Sequence, residues 1–190
     1  MRRRQQTVLF SLPGGSKLGD MTTTGTQTFR LRTQPDEGIT AHVGNTPLIP
    51  LRRIATGLST DVQLLAKAEW FNPSGSVKDR PAENIMRLAF RRVDLGAGKR
   101  LLDSTSGNMG IAYATFGAAT GIPVTLCVPG SASPERIMIL KALGADVIVT
   151  DALEGSDGAI VEARRLAMSE PDRYWYANQY DNPANWQAHY

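Results

Sequence analysis

From residue 61 onward, stretches patterned like buried strands alternate with stretches of helical spacing, and few folds accept that alternation. Strands are expected at 62–70, 100–103, 124–128, 146–150 and 174–179, and helices at 80–93, 108–120, 134–143 and 156–169. In the first helical stretch Ala82, Ile85, Met86, Ala89, Phe90 and Val93 fall on one face. Gly96, Gly121 and Gly144 stand where helices would end, and Ser133-Pro134 offers an N-cap followed by a first-turn proline. The pattern implies an α/β fold, a parallel sheet with helices on both faces, because parallel neighbours need a crossover and the crossover helices cover the sheet. Ligands in such sheets bind beyond the carboxyl ends of the strands, so the loops that follow strands are where chemistry is expected.

The chain has 190 residues, 42% of them hydrophobic, enough for a core of its own. No apolar run approaches the roughly 20 residues of a membrane span, so no membrane partner is expected. The net charge of +3 is unevenly placed: residues 1–34 hold six of the 21 basic and one of the 18 acidic side chains, which leaves the remainder at −2. The body therefore gives no electrostatic case for a nucleic-acid partner. Residues 1–42 are expected to be a disordered extension, 1–38 being polar and aperiodic, with the body at 43–190. Arg2, Arg3 and Arg4 precede no apolar signal stretch, and Met21 is a second candidate initiator. Cys127, the only cysteine, lies in the apolar run Val124-Thr125-Leu126-Cys127-Val128 and reads as core; a cytoplasmic setting is expected. His42 and His189 have no ligand cluster at metal spacing, and no metal site is expected.

Three loops carry chemical groups. The first, Asn72-Pro73-Ser74-Gly75-Ser76-Val77-Lys78-Asp79-Arg80, runs from the strand at 62–70 into the helix at 80–93. Pro73 and Gly75 stop the strand, and Pro81 suits the first helical turn with Asp79 or a neighbour as cap. Lys78 thus sits where a loop enters a helix, and the dipole there disfavours an ammonium and favours a neutral, nucleophilic amine. A solvated lysine in a capped turn fits the same residues. The second loop, Asp103-Ser104-Thr105-Ser106-Gly107-Asn108-Met109-Gly110, puts small hydroxyl residues between a strand and a helix. N–H groups at that helix start, with the Thr105 and Ser106 hydroxyls, could take a carboxylate, and an ordinary capped turn would read the same way. The third, Tyr176-Ala177-Asn178-Gln179-Tyr180-Asp181-Asn182-Pro183-Ala184-Asn185, is a strand end running into an Asn-Pro turn. Ahead of all three, Val43-Gly44-Asn45-Thr46-Pro47-Leu48 turns into a short strand at 48–51.

Together these stretches resemble the amino-terminal half of the pyridoxal-phosphate-dependent cysteine synthase / cystathionine β-synthase family, fold type II enzymes related to the tryptophan synthase β subunit. The Asn72–Arg80 stretch resembles the family's Schiff-base lysine motif, which implies that Lys78 binds pyridoxal 5'-phosphate covalently and later takes the substrate's α-proton. Thr105-Ser106-Gly107-Asn108-Met109-Gly110 resembles the family's Thr-Ser-Gly-Asn-Thr-Gly loop. That implies a substrate carboxylate held at Thr105, Ser106, Gly107 and Met109, and a cofactor ring oxygen bonded by Asn108. Met109 departs from the family's threonine; it keeps the N–H and loses the hydroxyl, which bears on substrate identity. Gln179 matches the glutamine that faces the substrate carboxylate, and Gly44-Asn45-Thr46-Pro47-Leu48 matches the opening of the catalytic domain.

The resemblance implies β-replacement on O-acetylserine or a similar activated serine by a sulfur nucleophile, giving cysteine, in a homodimer. Cystathionine β-synthase chemistry, a diaminopropionate-forming relative and a non-catalytic half-protein are the alternatives. A haem-bearing form is not expected, since residues 1–41 contain neither Cys nor His. The family's Gly-Thr-Gly-Gly-Thr phosphate loop does not occur before Tyr190. The chain is therefore expected to be a truncated reading frame, inactive alone.

Overall fold

The structure, a computed structural model, describes residues 38–59, 61–92, 95 and 98–190. Two short strands, β1 (Leu48–Pro50) and β2 (Leu65–Lys67), pair antiparallel with Ile49 opposite Ala66. A 3-10 turn at Glu69–Phe71 leads towards α1 (Asp79–Arg92). There follow β3 (Arg100–Ser104), α2 (Asn108–Thr120), β4 (Val124–Pro129), α3 (Pro134–Ala142), β5 (Asp146–Thr150), α4 (Gly155–Ser169), β6 (Tyr174–Tyr176) and α5 (Pro183–Gln187).

Strands β3 to β6 form one parallel sheet in the order β5-β4-β3-β6. The chain winds outward from β3 through β4 to β5, then returns to place β6 on the other side of β3. The winding reverses between β3 and β6, so a topological switch point opens at their carboxyl ends. Side chains alternate across the sheet with a period of two. Leu101, Leu126 and Val128 pack with Ala82 and Ile85 of α1, Phe116 of α2 and Leu140 of α3. Leu102 and Cys127 face the other way, onto Ala159, Ala163 and Leu166 of α4. All six residues of β4 are buried, as a strand covered on both faces requires. Burial pushes the Cys127 thiol up to about 12, so it stays a neutral core group.

The expected α/β fold with helices on both faces is found. Helix α2 has the expected bounds, α3 and α4 differ by one residue at one end, and α1 is shifted one residue earlier at both ends. Gly121 and Gly144 take φ values of 77° and 82°, the left-handed conformation that ends α2 and α3. Ser133 caps α3, its side chain accepting from the Arg136 N–H.

Three expectations are corrected. The strand at 62–70 shrinks to β2 and leaves the parallel sheet for the β1–β2 pair; Phe71 N–H bonds the Ala68 carbonyl at 3.1 Å, and the chain curls instead of extending. The strand at 174–179 ends at Tyr176, because Asn178 adopts φ 46° and redirects the backbone. Residues Ile39–His42, placed in the extension, form a 3-10 turn with Thr40 buried. The disorder expected for 1–37, and Val93 and Gly96, lie outside the described residues. No described helix is long and apolar enough to cross a membrane.

Candidate active site

The loop before α1 is braced on one side by a carboxylate. Arg80 grips Glu69 at two points, Nε to Oε2 at 2.9 Å and Nη2 to Oε1 at 3.0 Å. The Thr46 hydroxyl donates to Glu69 Oε1 at 2.9 Å, and Asn72 Nδ2 donates to Oε2 at 2.8 Å. Asn72 in turn accepts from the Gly44 N–H at 2.8 Å. One carboxylate therefore ties the turn at 43–48, the lysine loop and α1 together. Inside the loop, buried Asp79 accepts from the Ser74 N–H at 2.6 Å and from the Ser74 hydroxyl. Asp79 closes the loop rather than capping the helix. Burial raises its carboxyl above the usual range, against the pull of the Ser74 bonds.

Lys78 is the residue before α1: its carbonyl accepts the Ala82 N–H at 3.0 Å, and its own N–H donates to Ser76 Oγ at 3.2 Å. The side chain is exposed, and its amine meets no carboxylate or carbonyl among the described residues. A rigid loop thus presents a primary amine at the positive end of a helix.

The brace has a pH signature. The Arg80 hydrogen bonds, opposed by desolvation, hold the Glu69 carboxyl at about 2, below its ordinary 4.5. A depressed carboxylate stabilises above its unfolded value and loses that contribution as pH falls from 4.5 to about 2. Glu69→Gln is expected to cost about 2 kcal/mol at neutral pH. It should also flatten the acid limb of stability in that window, which denaturant midpoints measured against pH would show.

At the switch point, β3 ends at Ser104 and α2 begins at Asn108. Thr105 is buried, and its hydroxyl is used by the turn itself. It accepts from the Gly107 N–H at 3.2 Å and the Gly110 N–H at 3.0 Å, and donates to the Gly107 carbonyl at 3.3 Å. Thr105 therefore shapes the loop and has no spare donor to give a ligand. The first-turn N–H groups of Asn108 and Met109 have no carbonyl partner within the helix. Ser106 and Asn108 are exposed; the Met109 side chain is buried among α1 and α2 residues, so it offers only its N–H. Gly110 has to be glycine, because a Cβ there would lie 2.4 Å from Thr105 Cγ2. Arg136 of α3 donates to the Ser106 carbonyl at 3.0 Å, adding a cation behind the loop.

Gln179 lies across the switch point. It is buried, and its Nε2 donates to the Ser104 carbonyl at 2.6 Å, leaving the amide's second N–H. Its main-chain N–H donates to Asp103 Oδ2 at 3.2 Å, and its carbonyl accepts from Asn185 Nδ2 at 2.7 Å. Thr105, Gly107 and Gln179 thus gather around the end of β3. Lys78 arrives on α1, whose first-turn Ala82 shares one core with Met109 of α2.

Sequence reasoning misses Asp103, Arg136 and the Glu69–Arg80 brace. The lone carboxylate in the run Leu101-Leu102-Asp103 is a signal for the first; the others find partners 30 and 11 residues away and leave no local trace. The donor set, a free primary amine, an exposed asparagine amide and open helix-start N–H groups, fits a group with an aldehyde and polar ring substituents. Among the described residues no three His, Cys, Asp or Glu side chains are placed to hold a metal ion.

Residues 39–190 match the family described as pyridoxal-phosphate dependent enzyme. The chain is 49% identical over 155 residues to the cysteine synthase of Aquifex aeolicus (strain VF5), covering 81% of this chain and 47% of that one. It is 43% identical over 147 residues to cysteine synthase A of Escherichia coli (strain K12), covering 77% and 44%. Among solved structures it is similar to a cysteine synthase from Entamoeba histolytica, with a TM-score of 0.77 and 35% identity over 91% of this chain and 50% of that one. An O-ureido-L-serine synthase has a TM-score of 0.71 and 34% identity over 80% and 46%. The chain spans about half the length of the curated relatives it matches.

Proposed function

Because the chain belongs to the pyridoxal-phosphate dependent enzyme family, we propose that it serves the replacement of the β-substituent of O-acetylserine, or a similar activated serine, by a sulfur nucleophile to give cysteine. The observation that carries this reading is the free Lys78 amine on its braced loop, together with the open N–H groups at the start of α2. The cysteine synthases among its relatives support it.

Lys78 would hold the cofactor's aldehyde carbon and Asn108 its ring oxygen. Pyridoxal 5'-phosphate, when bound, supplies an electron sink for the charge left at the substrate's α-carbon. The chain's own residues do the rest. The exposed Ser106, the Met109 N–H and the second N–H of the Gln179 amide bind and orient the amino-acid carboxylate, favoured by the helix dipole and the Arg136 charge. Thr105 holds that loop in shape from below, and Gly107 keeps side-chain bulk away from it. The Lys78 amine would take the α-proton as general base, a role worth about 10²–10⁴-fold in rate.

A homodimer and a cytoplasmic setting accompany this reading. The exposed Leu48, Leu65, Trp70 and Phe71 support the first, and the single buried thiol of Cys127 supports the second.

The direct test supplies the intact protein and pyridoxal phosphate with O-acetylserine and sulfide, and separately with serine and homocysteine. Cysteine from the first pair and no cystathionine from the second is the expected result. Cystathionine alone would move the assignment to that branch, and turnover of neither pair would overturn it.

A further inference from the structure

Asp103 has no part in the mechanism above, yet it stands at the switch point with no solvent exposure. The titratable groups that feel its charge are Tyr113 of α2, in the core on its own side of the sheet, and Tyr176 of β6, Tyr180 of the loop beyond and Cys127 of β4. None is a cation. The hydroxyls of Tyr113 and Tyr176 and the neighbouring Ser104 Oγ are buried without hydrogen bonds of normal geometry. A carboxylate in such surroundings is costly, and burial pushes it up to about 7 against its hydrogen bonds.

The bonds it does make join the two sides of the cleft. Oδ1 accepts from the Ser104 N–H at 2.9 Å, and Oδ2 accepts from the Gln179 N–H at 3.2 Å, 76 residues away in the chain. The backbone ladder between these strands ends with Ala177 N–H on the Leu102 carbonyl at 2.9 Å. Beyond it, left-handed Asn178 turns the chain away, and the strands part. Asp103 spans the gap where the ladder has stopped, and the Gln179 side chain then reaches the Ser104 carbonyl from the same anchored backbone.

We propose that Asp103 is a positioning residue for the substrate carboxylate: it fixes the Gln179 backbone to the end of β3, and so sets the separation between the Gln179 amide and the loop at 104–109. The proposal rests on the reading that this loop and Gln179 take an amino-acid carboxylate. One side chain bonds a main-chain N–H on each side of the cleft, and it anchors the backbone from which the Gln179 amide reaches the Ser104 carbonyl.

The test uses the intact protein loaded with pyridoxal phosphate and L-serine as the probe, with affinity read by calorimetry and kcat and KM read with O-acetylserine. Asp103→Asn keeps the shape but turns an N–H donor towards one of the two N–H groups. It is expected to weaken L-serine binding about tenfold and raise KM, with kcat changed less than about threefold. The deciding comparison is with Gln179→Ala. If Asp103 acts through Gln179, Asp103→Asn costs nothing further in that background. An undiminished cost there, or unchanged L-serine binding in Asp103→Asn alone, overturns the proposal. If Gln179→Ala itself leaves L-serine binding unchanged, it is the underlying reading of the site that fails. A measurement without substitutions guards against a variant that does not fold. The Gln179 amide proton of the wild-type protein should shift with the ionisation of its carboxylate partner, near pH 7. An amide shift that stays constant over the whole pH range in which the protein remains folded overturns the bridge.

Discussion

Lys78→Ala is expected to lower turnover by at least about 10³-fold while leaving the fold intact. The two halves of that expectation have separate origins. The Lys78 side chain is exposed and bonds nothing among the described residues, so its removal takes away no packing and no partner. The loop is held instead by Glu69, Arg80, Ser74 and Asp79, all of which remain. What is lost is the amine that would bind the cofactor and move the proton. Lys78→Arg should be as inactive as the alanine variant, because a guanidinium does not give up its proton in this range. Melting temperature and kcat/KM measured side by side check both halves. A large fall in melting temperature would show that the lysine has a structural role the geometry does not reveal.

Gly110→Ala is expected to damage stability and amino-acid binding together. The new Cβ would lie 2.4 Å from Thr105 Cγ2 and 3.1 Å from Thr105 Oγ1. Something has to give, and overpacking of this kind costs about 1–3 kcal/mol. The side chain that must move is also the one whose hydroxyl satisfies the Gly107 and Gly110 N–H groups, so the loop at 105–108 loses its support. Substrate affinity should fall by about tenfold or more as a result. Adding Thr105→Ser removes the nearest clashing atom and keeps the hydroxyl. The double variant should therefore be more stable than Gly110→Ala alone. Thermal melts of the three variants and L-serine titrations read this directly, and independent, additive effects of the two substitutions would speak against it.

The parallel sheet is legible in the sequence because its strands are apolar runs with helices between them, two of which end at a glycine. Leu101-Leu102, Val124 to Val128 and Val147 to Val149 have no competing reading once Gly121 and Gly144 mark the helix ends. The failures are of another kind. Strand β2 is short, and its place depends on pairing with β1, a partner in a different stretch of the chain. Local pattern carries no information about that pairing. The loop after β3 is found at the right place, but the task of Thr105 is not. A hydroxyl facing a ligand and one turned back onto its own helix start come from the same residue in the same motif, and only the distances distinguish them. Asp103 shows the same limit. Its charge is visible in the sequence, whereas its bond to Gln179 exists only because the sheet places β6 beside β3.

Lys78 is proposed here as the residue that binds the cofactor. The measurement that tests this assignment most directly is borohydride reduction of the intact protein with pyridoxal phosphate, followed by digestion and peptide mapping. A pyridoxyl label is expected on the peptide that carries Lys78, and none in the Lys78→Ala variant. Lys67 should stay unlabelled, because its amine is occupied by the Thr46 carbonyl. A label on Lys67, Lys99 or Lys141 in place of Lys78, or no label at all, would contradict the assignment.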